Sequence, residues 1–174
     1  MSKILILGIG NILYADEGIG VRFAGLIEKK YRLESDVHSI DIVDGGTLAH
    51  GLIPLLSRYD HVVVVDTINS SEQQTGKVYF FDFDAVPNHI DFQGSAHEVE
   101  MLATLNMMDI VGDRPKTFVL GVSPTVLESM SFELSEQVQA AVPVMEQALL
   151  SHLQQHQVNV TQVNNLTITD IATL

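Results

Sequence analysis

Two carboxylates and one imidazole, at Glu17, Asp66 and His97, are the side chains of this 174-residue sequence whose positions best suit shared chemistry. Asp66 closes the apolar run HVVVVD, and Glu17 lies in the glycine-rich loop after the apolar run KILILGIG. Ligand crevices of open α/β sheets lie outside the carboxyl ends of the strands, so parallel strands would bring both acids to one crevice. With His97 near the start of a later helix, the three could contact Ni²⁺, Zn²⁺, Co²⁺ or Mn²⁺ and leave positions open for water or substrate.

The loop that carries Glu17, GIGNILYADEGIG, has a competing interpretation as a phosphate-binding turn. A dinucleotide fingerprint needs a third glycine three residues after the second, but Gly8 and Gly10 are followed by Leu13. The adjacent acids Asp16 and Glu17 would also repel a phosphate. A third interpretation places these acids in the first turn of a helix, where they interact favourably with its dipole. The sequence therefore argues against nucleotide binding.

The other six histidines show no better metal-ligand pattern. His152 and His156 are four residues apart, which is the spacing of one face of a helix, and this pair is predicted to be exposed to solvent. Local spacing such as His-Glu-x-x-His is absent from the whole chain.

Composition excludes several classes of protein. The formal net charge is −13, which repels nucleic acid and anionic membranes but also simply favours solubility. The chain has no cysteine, so it offers no disulfide, thiolate ligand or cysteine nucleophile. No apolar run approaches the roughly 20 residues that cross a bilayer. We expect a cytoplasmic protein without membrane insertion.

The elements that must position these residues alternate along the chain. Continuous apolar runs predict strands buried on both faces, and Ile19, Phe23, Leu26 and Ile27 follow the first run at helical spacing. The aromatic, alternating GKVYFFDF predicts a strand nearer an edge, which is a candidate antiparallel member. The expected fold is a three-layer α/β/α sandwich with a mostly parallel, twisted sheet.

One domain is expected across residues 1–174, because no linker or repeat divides the sequence. The last long helix should lie within residues 133–156. The Asn- and Thr-rich segment from about residue 158 is predicted to be mobile, with an added strand as the alternative.

Five segments, read in order, resemble one known family. They are LILGIGNILYADEGIGVRFAGLIE, DIVDGGT, HVVVVDTI, SAHEVEMLATL and VLGVSP. The chain is identified by them, from residue 3 to about residue 150, as similar to the maturation endopeptidases of nickel–iron hydrogenases. The resemblance implies an α/β/α sandwich that removes a C-terminal extension from the hydrogenase large-subunit precursor after nickel insertion, cutting just after a basic residue.

The resemblance also assigns roles to residues. It implies that Glu17, Asp66 and His97 contact metal, and that the DGGT loop, Asp44, Gly45, Gly46 and Thr47, borders the substrate cleft. That loop could equally be a tight turn that needs glycine. The metal would be nickel carried by the precursor, although another divalent metal such as zinc would suit the same site.

Three mechanisms and one other class of function remain open on the sequence alone. The nickel could be only a recognition signal, a metal could activate water, or Asp66 or Glu17 could act as general base. A chaperone that binds the nickel-loaded precursor without cutting it would need the same residues.

Overall fold

The computed structural model describes residues 1–47, 50–72, 74–91, 96–125 and 131–171, with the backbone alone for residues 50, 91 and 96–99. Its centre is a five-stranded sheet in the order β3-β1-β4-β8-β6. The strands of the chain are β1 (Ser2–Ile9), β2 (Tyr31–Glu34), β3 (His38–Gly46), β4 (His61–Thr67), β5 (Asn69–Ser70), β6 (Val78–Asp82), β7 (Ile90–Asp91), β8 (Lys116–Val122) and β9 (Asn159–Gln162). The α-helices are α1 (Ile19–Lys30), α2 (Ile53–Leu56), α3 (Ala96–Val111) and α4 (Glu136–Gln155). Single 3₁₀ turns cover Ala15–Gly18, His50–Leu52, Phe83–Ala85 and Ile168–Asp170.

The central strands are apolar on both faces because each face carries a separate core. Alternate residues of β1 and β4, such as Ile4 and Val63, pack against α1 and α4. The intervening residues, such as Leu5 and Val64, pack against Leu56 of α2 and against α3. The predicted three-layer sandwich is therefore confirmed.

The edge strand and the first helix also follow the sequence pattern. β6 pairs antiparallel with β8 at the edge of the sheet, whereas β1, β3, β4 and β8 pair in parallel. All four predicted apolar residues of α1 are fully buried: Ile19, Phe23, Leu26 and Ile27. Among the described residues, every helix is too short or too polar to span a bilayer.

The C-terminal segment differs from the mobile tail expected from sequence. β9 pairs antiparallel with β2, which is the alternative of an added strand. Val158, Ile168 and Ile171 are buried in the core between the sheet and helices α1 and α4. The segment is ordered because its few apolar side chains are buried in this core, although most of its residues are polar.

The order of the strands creates a crevice at the carboxyl end of the sheet. β1 lies between β3 and β4, so the chain moves to one side of β1 first and to the other side afterwards. Such a point of reversal is where α/β sheets usually bind ligands. The loop after β1 and the end of β4, which hold Glu17 and Asp66, both meet there.

Candidate active site

The loop after β1 is pressed tightly onto the carboxyl ends of β1 and β4. A Cβ atom at Gly20 would lie 2.2 Å from the carbonyl oxygens of both Ile9 and Val65, so only glycine fits there. Gly10 has a φ of +149°, and a Cβ on it would lie 2.0 Å from the carbonyl oxygen of Glu17. These close approaches bring the Glu17 backbone beside the end of β1 and the start of α1 beside the residue that precedes Asp66.

Asp16 anchors this loop to a distant part of the chain. It is 1% exposed, and its carboxylate accepts hydrogen bonds from the backbone N–H groups of Thr125 (2.9 Å) and Ser135 (2.7 Å). It also accepts from the hydroxyls of Thr125 (2.6 Å) and Ser135 (2.8 Å). Ser135 is at the same time the N-cap of α4, accepting from Val138. The sequence pattern missed this role, because adjacent acids in a glycine-rich loop give no signal of which one is buried.

Glu17 is half-buried and lies on the same 3₁₀ turn as Asp16, Ala15–Gly18. Its backbone is fixed, since its carbonyl accepts from Asn11 N–H at 3.0 Å and its N–H donates to Tyr14 at 3.1 Å. Within the described ranges, its carboxylate makes no side-chain hydrogen bond or ion pair. Asp16 therefore holds the loop, and Glu17 is left available to a ligand.

Asp66 lies at the carboxyl end of β4 and is 5% exposed. Its Oδ1 accepts a hydrogen bond of 2.7 Å from the Thr67 N–H. By strand alternation it shares the face of Val64, toward α3, and both line a small pocket. The other lining residues, apolar except for Thr67, are Thr67, Ile68, Phe83, Met101, Leu102, Leu105 and Val119. The pocket therefore places a carboxylate next to an apolar surface.

His97 lies in the first turn of α3, and its side chain falls outside the described residues. The next turn of the same helix contributes Met101 and Leu102 to the pocket beside Asp66. The backbone therefore places the start of α3 on the side of the sheet that Asp66 faces. The contact of the imidazole with either carboxylate stays a prediction.

The DGGT loop ends β3 and lies next to the loop of Glu17. Gly46 has a φ of +55°, its N–H donates to Asp44 Oδ1 at 2.9 Å, and its carbonyl accepts from Gly10 N–H at 2.9 Å. Gly45 is buried, and Thr47 is exposed. Asp44 lines a separate cleft against α1, with Arg22 and Glu28. The turn accounts for Gly46, and Gly45 leaves room for Ile9 and Leu7, whose Cδ1 atoms would lie 2.7 and 2.8 Å from a Cβ there. A role of the loop in substrate binding stays a prediction.

The donor set fits a borderline divalent metal. Carboxylate oxygen and imidazole nitrogen are ligands for Ni²⁺ and Zn²⁺, and a half-buried Glu17 leaves an approach from solvent. The same carboxylates could instead accept a proton from water during hydrolysis. Fold and site together define a class: α/β/α proteins with acidic residues at the carboxyl end of a mostly parallel sheet.

Comparison with known proteins identifies the family. The family model described as hydrogenase maturation protease matches residues 21–152. Protein HydD of Wolinella succinogenes is 46% identical over 155 residues, which are 88% of this chain and 97% of that protein. The hydrogenase 2 maturation protease of Escherichia coli is 34% identical over 149 residues, 84% of this chain and 88% of that protein.

A solved structure agrees with these sequence matches. The hydrogenase maturating endopeptidase HybD from E. coli superposes with a TM-score of 0.77 and 30% identity, over 92% of this chain and 97% of that one. The chain belongs to the hydrogenase maturation protease family. It is therefore a hydrolase of peptide bonds, and the alternative of a non-catalytic chaperone is not favoured.

Proposed function

We propose that this chain is the endopeptidase that removes the C-terminal extension of a nickel–iron hydrogenase large-subunit precursor, in the cytoplasm, once nickel has been inserted. The observation that carries this proposal is Asp66, a buried carboxylate at the end of a central strand, placed beside an apolar pocket in a chain of the maturation protease family. Glu17 is half-buried, which leaves its carboxylate an approach from solvent.

Nickel enters this reaction as part of the substrate. Glu17, Asp66 and His97 would contact the metal that the precursor carries, and this contact would hold the precursor's C-terminal segment against the pocket. Recognition through metal would account for two carboxylates at this end of the sheet and for a role of His97 beside them, since these donors suit Ni²⁺. Zn²⁺ would also suit these ligands. Comparing the cleavage of nickel-loaded and zinc-loaded precursor shows which metal is recognised.

Hydrolysis needs a base for the attacking water and a proton for the leaving amine. Asp66 is our candidate for the base, because its carboxylate is buried beside the pocket at the carboxyl end of a central strand. Glu17 is the second candidate, and its half-buried position would let it reach the peptide from the solvent side.

Asp66→Asn tests the site. Purified chain is incubated with nickel-loaded and with nickel-free precursor, and the mass of the precursor is followed. We expect loss of a C-terminal peptide from the nickel-loaded form only, and a rate at least about 100-fold lower with Asp66→Asn, because a general base typically contributes 10²–10⁴. The same precursor loaded with zinc separates nickel recognition from a general need for a divalent metal.

The outcomes of this assay have distinct meanings. Cutting of the nickel-free precursor would reject recognition through nickel. Binding of a cognate precursor without any change in mass would reject the peptidase activity and support the chaperone. A normal rate with Asp66→Asn would reject Asp66 as base and leave the peptidase activity standing.

Glu17→Gln isolates the second carboxylate. The substitution keeps the size of the side chain and, because Glu17 has no side-chain partner among the described residues, it should leave the fold intact. We expect at least about a tenfold increase in KM for the nickel-loaded precursor if Glu17 contacts its metal. Unchanged processing would remove Glu17 from the site.

A further inference from the structure

Three histidines meet far from Asp66, at the other end of β4. His61 is the first residue of β4, whereas His152 and His156 lie one turn apart at the end of α4. The Nε2 atoms of His61 and His152 are 2.8 Å apart, and one ring nitrogen from each of the three lies within 4.8 Å of the others. The expectation that His152 and His156 form a solvent-exposed face is thus wrong for His152, which is 5% exposed.

The hydrogen bond of His156 to the backbone fixes which of its ring nitrogens can accept. His156 Nδ1 lies 2.8 Å from the carbonyl oxygen of His152, and since a carbonyl only accepts, Nδ1 carries the proton. The Nε2 atom of neutral His156 is therefore an acceptor. A backbone carbonyl bonded to the second ring nitrogen is the usual support of a histidine that ligates metal, because it fixes both tautomer and orientation.

The spacing of the nitrogens is close to that of a tetrahedral metal site. Zn–N bonds of about 2.0–2.1 Å at tetrahedral angles put ligating nitrogens about 3.3 Å apart. The 2.8 Å between His61 and His152 is that of a shared hydrogen bond, so the two rings need to separate by about 0.5 Å and carry their protons on Nδ1. Side-chain rotations would have to bring the three nitrogens to this spacing from the present one, which is within 4.8 Å.

The surroundings of His61 and His152 favour their neutral form, which is the form that binds metal. Phe118 and Phe80 lie against His152, with ring centroids 4.4 and 5.0 Å away, and His61 is 8% exposed. Burial, helped by His156 and His38, lowers the pKa of His61 to about 4, and burial also lowers the pKa of His152 to about 4. Two further charges face the cluster: Lys116 of β8 and Asp82 of β6, which form an ion pair with each other.

We propose that His61, His152 and His156 form a Zn²⁺ site, with water as the fourth ligand on the half-exposed side of His156. The site is separate from the acidic one, because His61 and Asp66 lie at opposite ends of β4, about 16 Å apart along the strand. Strand alternation also points them to opposite faces of the sheet, His61 toward α4 and Asp66 toward α3. The ion would fasten the end of α4 to the sheet and would not take part in hydrolysis.

Titration with Zn²⁺ tests the site after the protein has been stripped with a chelator. Asp66→Asn is the background, so that binding at the acidic end is suppressed. We expect one equivalent of Zn²⁺ to bind to Asp66→Asn, and affinity to fall at least about 100-fold when His156→Gln is added. His89→Gln is the matched control, because half-exposed His89 lies beside Glu72 and away from the cluster.

Two further readouts identify the ligands and control for folding. Co²⁺ in place of Zn²⁺ should give the visible absorption of a tetrahedral nitrogen site in Asp66→Asn and not in the double variant. Zn²⁺ should raise the unfolding midpoint of Asp66→Asn but not that of the double variant, since ligands stabilise the state that binds them. His156 is half-exposed at the C-cap of α4, so circular dichroism in chelator should show His156→Gln folded.

The proposal is overturned by either of two results: Asp66→Asn binds no Zn²⁺, or it binds Zn²⁺ equally well with and without His156→Gln. Cleavage of the nickel-loaded precursor should be unchanged by His156→Gln alone. Because that readout belongs to the acidic site, failure of the zinc site and failure of the peptidase proposal are distinguishable.

Discussion

Asp16 and Glu17 are neighbours in sequence, but their environments assign them opposite tasks. The carboxylate of Asp16 is enclosed by four donors, from Thr125 and Ser135, whereas that of Glu17 has no partner among the described side chains. Local sequence cannot distinguish the two acids, because the partners of Asp16 are more than 100 residues away. The position of the loop at the end of a strand applies to both acids, and the burial of Asp16 leaves Glu17 as the candidate for contact with a ligand.

The Asp16→Asn variant should lose stability. An amide has one acceptor oxygen where the carboxylate has two, and its NH₂ group would face backbone donors. We expect a loss of about 3 kcal/mol in the free energy of unfolding, because each buried hydrogen bond to a charged group is worth about 1.5–3 kcal/mol. Urea unfolding of the variant and the original protein measures this loss. Glu17→Gln is the matched control and should change stability by less than about 0.5 kcal/mol.

Elements buried on both faces were the easiest to predict. β4 reads HVVVVD, and a run of β-branched residues with turn signals on both sides favours a central strand. β2 and β9 were harder, because each has four residues, half-buried at most, and neither would be a strand without the other. A pairing of segments about 130 residues apart leaves no local periodicity. For the same reason the sequence showed His152 and His156 on one helical face but not the contact with His61.

The C-terminal segment should contribute to stability despite its polar composition. Ile168 is 4% exposed and packs in the core with α1 and α4, so Ile168→Ala should cost about 2–4 kcal/mol. Val163 in the same segment is 48% exposed, and Val163→Ala should cost less than about 0.5 kcal/mol. Thermal unfolding of the two variants compares them directly. Equal, small effects would mean that the segment is mobile, as its composition had suggested.

The stability of the whole molecule should depend on pH through the buried histidines. In the metal-free fold the pKa of His61 and of His152 is lowered to about 4 by burial first, with like charges on His156 and the facing rings adding to it. The unfolded chain takes up these protons near pH 6.5, while the folded chain does not until about pH 4. Stability is therefore full above pH 6.5 and is lost as the pH falls toward 4.

Urea unfolding in chelator between pH 7.5 and 4.5 checks this expectation. Each unit of pKa difference corresponds to about 1.4 kcal/mol, so a loss of a few kcal/mol is expected across the window. His152→Phe, which places an apolar ring beside Phe80 and Phe118, should reduce the slope. A profile that is flat down to pH 5 would show that the two rings are protonated in the fold. Carboxylates such as Asp82, whose pKa is lowered beside Lys116, lose their contribution only at lower pH.

The hydrogen bonds of Asp16 also limit the order in which parts of the protein can fold during synthesis. During translation the β1 loop leaves the ribosome early, but its anchors at Thr125 and Ser135 are made more than 100 residues later. A nascent chain that ends before Thr125 already contains Glu17 and Asp66, yet its loop is not fastened. Contacts so distant in sequence form late and slow folding. The loop that carries Glu17 should accordingly be fixed in place only after most of the chain has been synthesised.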